Sequence, residues 1–320
     1  MTARVQRDAV PTSETFTAAV SLKEAEPEHY DVAYTAVTQP CPWPKAYGGD
    51  LVAAAAAAAM RTVPEGAEGA EGAEGAEGGK TLHSMHSSFM RPADIGAEVR
   101  YEVELLRDGR GYSTRHVRAY QHGRPIYVAL MSFAAGEPGG TFAAPPPEVP
   151  DPGTLPSSAA YLEERSGGTM TQESKAYWSG GRGFDMRHVP GPVYLTVDGD
   201  RAPYQAVWVK PYDDLRPVEG LTRTQRDLAA LSYVCDYTIL EPVLRVLGLP
   251  WAHPGLVTAS LDHAMWIHRV PGEGVLDDWL LYAQEAVSAG SGRGAGQGRF
   301  FTRDGQHLAT VVQEGMVRTS

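Results

Sequence analysis

The run LVAAAAAAAM from Leu51 to Met60 constrains this chain more than any other stretch. Alanine is the strongest helix former, so the run reads as a helix, and Gly48-Gly49 opens it. Its side chains are too small to fill a core unaided. Their use is to let a neighbouring sheet wrap closely, because small residues shorten the helix-to-sheet distance. The run is also too short to span a bilayer. Strand-like segments follow at Leu82–Met90, Val99–Arg107, Tyr112–Gln121 and Pro125–Phe133. One helix followed by an antiparallel meander is the expected unit.

That unit recurs. From Gly136 to Ser158 the chain is so dense in Pro and Gly that neither a helix nor a central strand can continue, which marks a linker. Beyond it the spacing predicts a long helix from about Arg223 to Leu247. Strands are then expected near Leu256–His268, Trp279–Glu285, Gly298–Thr302 and His307–Val317. Loose echoes join the halves: FMRPAD has IHRVPG at a comparable place, and HGRPIYVALMSF has DGQHLATVVQEG. A length of 320 residues suits two domains. The expected division is 1–135, a linker at 136–158, and 159–320. Within the first domain, residues 65–79 repeat Ala-Glu-Gly with no side chain able to anchor a core, so a flexible acidic loop is expected.

Charge and cysteine usage narrow the function. A net charge of −11 disfavours a general nucleic-acid binder, which needs a basic face. Cys41 and Cys235 lie in separate halves without CxxC spacing, so neither a disulfide framework nor a zinc site is suggested, and a reducing cytoplasm fits. The segment MTARVQRDAVPTSETF has no apolar core of an export signal. No GxSxG presents a serine nucleophile. The glycine-rich GSGRGAGQG at Gly290–Gly298 misses both GxGxxG and the Walker spacing, and reads as a flexible turn.

Several segments together resemble the acyl-CoA thioesterase II family: YGGDLVAAAAA, LHSMHSSFMRP, VELLRDGRGYSTRHVRAYQHGRPIYVALMSF, LSYVCDYTIL, SLDHAMWIHR, WLLY and VVQEGMVR. The resemblance implies an α+β fold of two fused hotdog domains, each an antiparallel sheet wrapped around a central helix. It further implies hydrolysis of acyl-CoA to fatty acid and CoA in lipid metabolism, no metal or cofactor, and a homodimer or larger homo-oligomer. By the family pattern the catalytic aspartate of the second central helix is Asp236, and its companions are Ser260 and Gln313. Two departures stand out. Cys235 takes the place of the usual serine beside the aspartate, and Asp50 follows Gly-Gly where glutamine is common.

The residues fit that chemistry. A thioester is cleaved when water attacks its carbonyl carbon, which requires a base for the water and stabilisation of the carbonyl oxygen, with no covalent nucleophile. At helical spacing Asp236 shares an apolar face with Ala229, Ser232, Ile239 and Leu240, where burial would raise its pKa and strengthen it as a base. Taken alone, Asp236 is equally a solvated helix acid or an internal hydrogen-bonded carboxylate. Alternation puts Ser260 with Asp262, Ala264 and Trp266, and Gln313 with Ala309 and Val311. Adjacent strand residues point to opposite faces, so Asp262 and His263 cannot converge on one atom and are expected to support the site. Gly48 and Gly49 offer a close backbone approach for substrate, or simply a helix start that needs glycine. Arg107, Arg110, Arg115, Arg269 and Arg293 are candidate partners for CoA phosphates. In the first half Leu82 aligns with Ser260 and Met131 with Gln313, which leaves one active site per chain. Two rivals remain: a non-catalytic acyl-CoA-binding protein, and another hotdog enzyme such as an enoyl-CoA hydratase.

Overall fold

The computed structural model describes residues 12–319 apart from 64–78, 138, 168–169 and 273. All of the Ala-Glu-Gly repeat except Gly79 therefore lies outside the described residues. The first half comprises α1 (Glu14–Ala19), β1 (Lys23–Ala25), β2 (Val32–Val37), α2 (Gly48–Met60), β3 (Lys80–Phe89), β4 (Glu98–Asp108), β5 (Tyr112–Gln121) and β6 (Arg124–Ala135). Two short helices follow, α3 (Ser158–Arg165) and α4 (Gln172–Ala176), then β7 (Phe184–Val189) and β8 (Tyr204–Pro211). The second half continues with α5 (Arg223–Val234), α6 (Glu241–Leu247), β9 (Leu256–Ser260), β10 (Asp262–Ile267), β11 (Leu280–Gly290), β12 (Arg293–Thr302) and β13 (His307–Thr319).

The strands form one antiparallel sheet in the order β1-β2-β4-β5-β6-β3-β10-β13-β12-β11-β8-β7, with β9 added on β13. Read outward from the central β3–β10 pair, the two halves run in the same order, so the fold is a duplicated hotdog. Met85 faces Met265 across that seam. Inside the curl lie the two main helices. Every residue of α2 from Leu51 to Met60 is at most 3% exposed, which is why small side chains dominate it. α2 runs antiparallel to α5: Tyr47 Oη donates to Tyr233 O at 2.6 Å at one end, and Gln225 Nε2 donates to Met60 O at 3.2 Å at the other. Gln225 also closes a capping box with Thr222 that starts α5.

Four expectations need correction. The predicted helix over Arg223–Leu247 is broken at residues 235–240, which form turns. Pro242 in the first turn of α6 has no N–H to continue the ladder, and Glu241 N bonds to Thr238 O in a tighter turn instead. The break is held from the sheet: Tyr282 Oη donates to the freed Cys235 carbonyl at 2.9 Å, and Gln284 Nε2 donates to the Thr238 side-chain hydroxyl at 2.6 Å.

The predicted strand Leu256–His268 is likewise two strands. Ser260 pairs with Gly315 and Ala264 with Val312, so four steps on one side match three on the other. The extra residue is a bulge, and it transfers Ser260 from the Asp262, Ala264 and Trp266 face to the inward face shared by His263, Met265 and Gln313.

Thirdly, Gly290–Gly298 is a hairpin turn at Ser291-Gly292 and then the start of β12. Gly294, Gly296 and Gly298 face inward. A Cβ at Gly296 would lie 2.2 Å from Ile239 O, so the missing side chain lets the 235–240 segment lie directly on the sheet. The composition that suggests a loop is thus the composition of a strand with a neighbour pressed against it.

The pairing register also corrects the comparison of the halves. Met85↔Met131 corresponds to Met265↔Val311, so Leu82↔Phe133 falls where His263 faces Gln313. Phe133, rather than Met131, stands opposite Gln313 in the duplication, and Leu82 stands opposite His263. The first half has an apolar pair in place of the polar one.

Candidate active site

Asp236 sits in the turn that follows α5, two residues past the helix, and not on a helical face. It is partly exposed, and its carboxylate is held from three directions. Ser260 Oγ donates to Asp236 Oδ1 at 3.0 Å, and Gln313 Nε2 donates to the same oxygen at 2.6 Å. Gln313 Nε2 also lies 3.0 Å from Ser260 Oγ, so the three side chains form a closed triangle. On the far side the carboxylate meets the start of α2: the Gly49 N–H bonds to it, and a Cβ on Gly48 would lie 2.5 Å from Asp236 Oδ2. Glycine at 48 is therefore a requirement of close approach.

Burial pushes the Asp236 pKa up to about 6. Hydrogen bonds from Gln313, Ser260 and Gly49 and the Lys45 ammonium pull the other way. The outcome is a carboxyl that is ionised at neutral pH yet a stronger base than a free aspartate, as general-base catalysis requires.

The amide of Gln313 is itself oriented. Its Oε1 lies 3.0 Å from His263 Nδ1, and His263 Nε2 lies 3.5 Å from Cys235 Sγ. Burial pulls the His263 pKa down to about 4, so the ring is neutral and its Nδ1–H can donate to the Gln313 carbonyl. That leaves the Gln313 NH₂ pointing at Asp236 and Ser260. The Cys235 thiol donates to Ser232 O at 3.1 Å, so its sulfur lies beside the ring as a neighbour rather than as a dedicated donor. Asp262 faces outward, and its Oδ1 accepts the Glu314 N–H at 2.8 Å, which braces the strand next to Gln313. His263 thus contacts the triangle directly through Gln313, whereas Asp262 braces the adjoining residue Glu314 from the opposite face.

The triangle opens into a cavity of about 480 Å³. Gly48 lines it, whereas Gly49 is turned toward Tyr47 and Tyr233 and spends its N–H on Asp236. The remaining lining is largely apolar, with Trp43, Trp178, Trp251, Leu240 and Leu256, suited to an acyl chain. None of the candidate arginines lines this cavity. Arg115 is buried inside the first domain, bonded to Thr62 and Asp108, and so is not available to a phosphate. Arg107, Arg110, Arg269 and Arg293 are exposed elsewhere.

Three features escape a reading of the sequence. The bulge that re-aims Ser260 leaves no mark in the hydrophobic pattern. Lys45 lines the cavity from a loop whose only signal is the three prolines Pro40, Pro42 and Pro44 that precede it. The third is the burial of Asp50: at 2% exposed it sits behind the site, where burial pushes its pKa up to about 7 and the Asp236 charge adds to the rise.

A model of the acyl-CoA thioesterase N-terminal domain matches residues 39–134, and one of the C-terminal domain matches residues 147–317. Acyl-CoA thioesterase 2 of Haemophilus influenzae is 30% identical over 91% of this chain and 93% of its own length. Human acyl-coenzyme A thioesterase 8 is 30% identical over 87% of this chain and 82% of its own. Among solved structures, acyl-CoA thioesterase II TesB2 from Mycobacterium marinum superposes with a TM-score of 0.69 at 29% identity, covering 95% of this chain and 97% of that one.

Proposed function

The chain belongs to the acyl-CoA thioesterase family, and from that premise we propose that it hydrolyses acyl-CoA to the free acid and CoA through a water activated by Asp236. The observation that carries this reading is the Asp236–Ser260–Gln313 triangle, open to an apolar cavity. A water admitted to the triangle takes over hydrogen bonds that the Ser260 hydroxyl and the Gln313 amide otherwise give to Asp236; it attacks the thioester carbonyl carbon, and Asp236 takes its proton. Collapse of the tetrahedral intermediate breaks the C–S bond. The departing thiolate recovers the proton from Asp236, giving CoA thiol and a carboxylic acid. Gly48, at the start of α2, offers backbone for the carbonyl oxygen, where the positive end of the helix favours developing negative charge.

We further read residues 1–135 and 159–320 as the two domains, with 136–158 as their linker. The chemistry belongs to the second domain, while Gly48 and the cavity wall come from the first. A homodimer or larger homo-oligomer acting in the cytoplasm on fatty acyl-CoA fits the family. No helix among the described residues is long and apolar enough to cross a membrane. The test is release of CoA thiol from short, medium and long acyl-CoAs. The native protein should turn over at least one class, and Asp236→Asn should lose about 10²-fold or more while still binding it. Native protein that binds acyl-CoA across the panel without releasing thiol would replace this reading with a binding protein.

A further inference from the structure

Residues 39–47 form the loop that leads into α2; its part from Trp43 to Tyr47 is one wall of the cavity, and the loop is pinned along its length. Gln39 N donates to Asp50 Oδ2 at 2.7 Å, Cys41 Sγ to Lys45 O at 3.2 Å, and Ala46 N to Ala93 O at 2.8 Å. From this fixed loop Lys45 reaches across the domain boundary. Its Nζ donates to Thr258 O at 2.5 Å, on β9 and two residues before Ser260. Among the described residues that line the cavity, Lys45 is the sole lysine or arginine. An ammonium carries three donors, and the Thr258 carbonyl accounts for one.

We propose that Lys45 is a positioning residue for the hydrolysis: its ammonium ties the strand of Ser260 to the first domain and holds Asp236 in its ionised, proton-accepting form. This rests on Asp236 being the general base. The reasoning is electrostatic. A partly buried carboxylate is disfavoured by desolvation, and a cation in the same poorly solvated cavity offsets that more effectively than one in water. The influence is mutual, because burial lowers the Lys45 pKa while Asp236 raises it.

The other titratable groups around Asp236 do not supply this charge. Tyr47 precedes α2, Cys235 and Tyr237 flank Asp236 in the chain, Tyr127 comes from β6 and Tyr282 from β11. Burial pushes all five upward, so they stay neutral near neutral pH. His263, behind Gln313, is pulled down to about 4 and is neutral as well. Asp50 titrates at about 7, and its charge opposes that of Asp236. Lys45 is the cation of this set. The loop would thus serve the reaction through charge as well as shape, and the first domain would tune a base carried by the second.

The experiment is the pH profile of kcat and kcat/KM for native protein, Lys45→Met and Lys45→Arg, with thermal midpoints to confirm folding. Lys45→Met should move the low-pH limb up by about one pH unit, a loss of about fivefold near pH 6 that nearly vanishes near pH 8. Lys45→Arg should return the limb toward its native position. A folded Lys45→Met protein with an unmoved limb and only a raised KM would overturn the proposal and make Lys45 a substrate contact. Equal shifts in the Met and Arg variants would overturn it too. Failure of the underlying reading looks different: native protein would release no thiol, or Asp236→Asn would keep the native rate.

Discussion

Asp236→Asn is expected to inactivate the protein and, above neutral pH, to stabilise it. In the fold the carboxyl titrates at about 6, against an ordinary 3.8, because burial outweighs its hydrogen bonds. A folded state that binds the proton more tightly than the unfolded chain gains stability that is complete below about pH 3.8 and is lost as pH rises through about 6. The loss is roughly 3 kcal/mol, from about 1.4 kcal/mol per pH unit of displacement. Asparagine cannot ionise. The stability of Asp236→Asn relative to native protein should therefore rise by roughly 3 kcal/mol between about pH 4 and about pH 8 and level off above that. The asparagine Oδ1 can keep the bonds from Ser260 and Gln313, and its NH₂ then takes the place of Oδ2 beside Gly48, where any cost does not vary with pH. Asp50 titrates in both proteins and largely cancels from the comparison. Denaturant unfolding of both proteins across this pH range measures the difference directly. A difference that stays constant with pH would refute the reasoning, since the carboxyl would then titrate as it does in the unfolded chain.

Other expectations follow from the same geometry. Below about pH 6 thiol release should fall roughly tenfold per pH unit as Asp236 takes up its proton, measured as the low-pH limb of kcat/KM. Gly48→Ala places a methyl 2.5 Å from Asp236 Oδ2, so turnover should drop on the order of 10²-fold by displacement of the carboxylate, with circular dichroism unchanged. Gly296→Ala must push Ile239 off the sheet. It should destabilise the fold by about 1–3 kcal/mol in denaturant unfolding and also lower activity, because Asp236 rides on the same segment.

Much of this architecture is visible in the chain. The alanine helix and the four strands after it appear where the pattern puts them, and the second round recurs with its helix and its first strand each divided in two. What escapes is local and tertiary. The helix break at residues 235–240 has Pro242 as its signal, but the partners that stabilise it, Tyr282 and Gln284, are distant in sequence. The β12 glycines read as a loop because composition cannot distinguish a residue that is free from one with no room for a side chain. The site residues came from motif resemblance, since Asp236, Ser260 and Gln313 are each unremarkable alone. Their mutual distances, and the bulge that turns Ser260 inward, depend on strand register. Lys45 stayed hidden because nothing local reveals that its loop lies against β9.

The most direct test that water attacks the thioester with Asp236 as its base is a single turnover in ¹⁸O-labelled water with protein in excess over acyl-CoA. Mass spectrometry then reads both the product acid and the peptide that contains Asp236. The acid should carry the label and Asp236 should carry none. Label in the Asp236 carboxyl after one turnover would mean that the aspartate attacks the thioester itself through an anhydride, and would contradict its assignment as a general base.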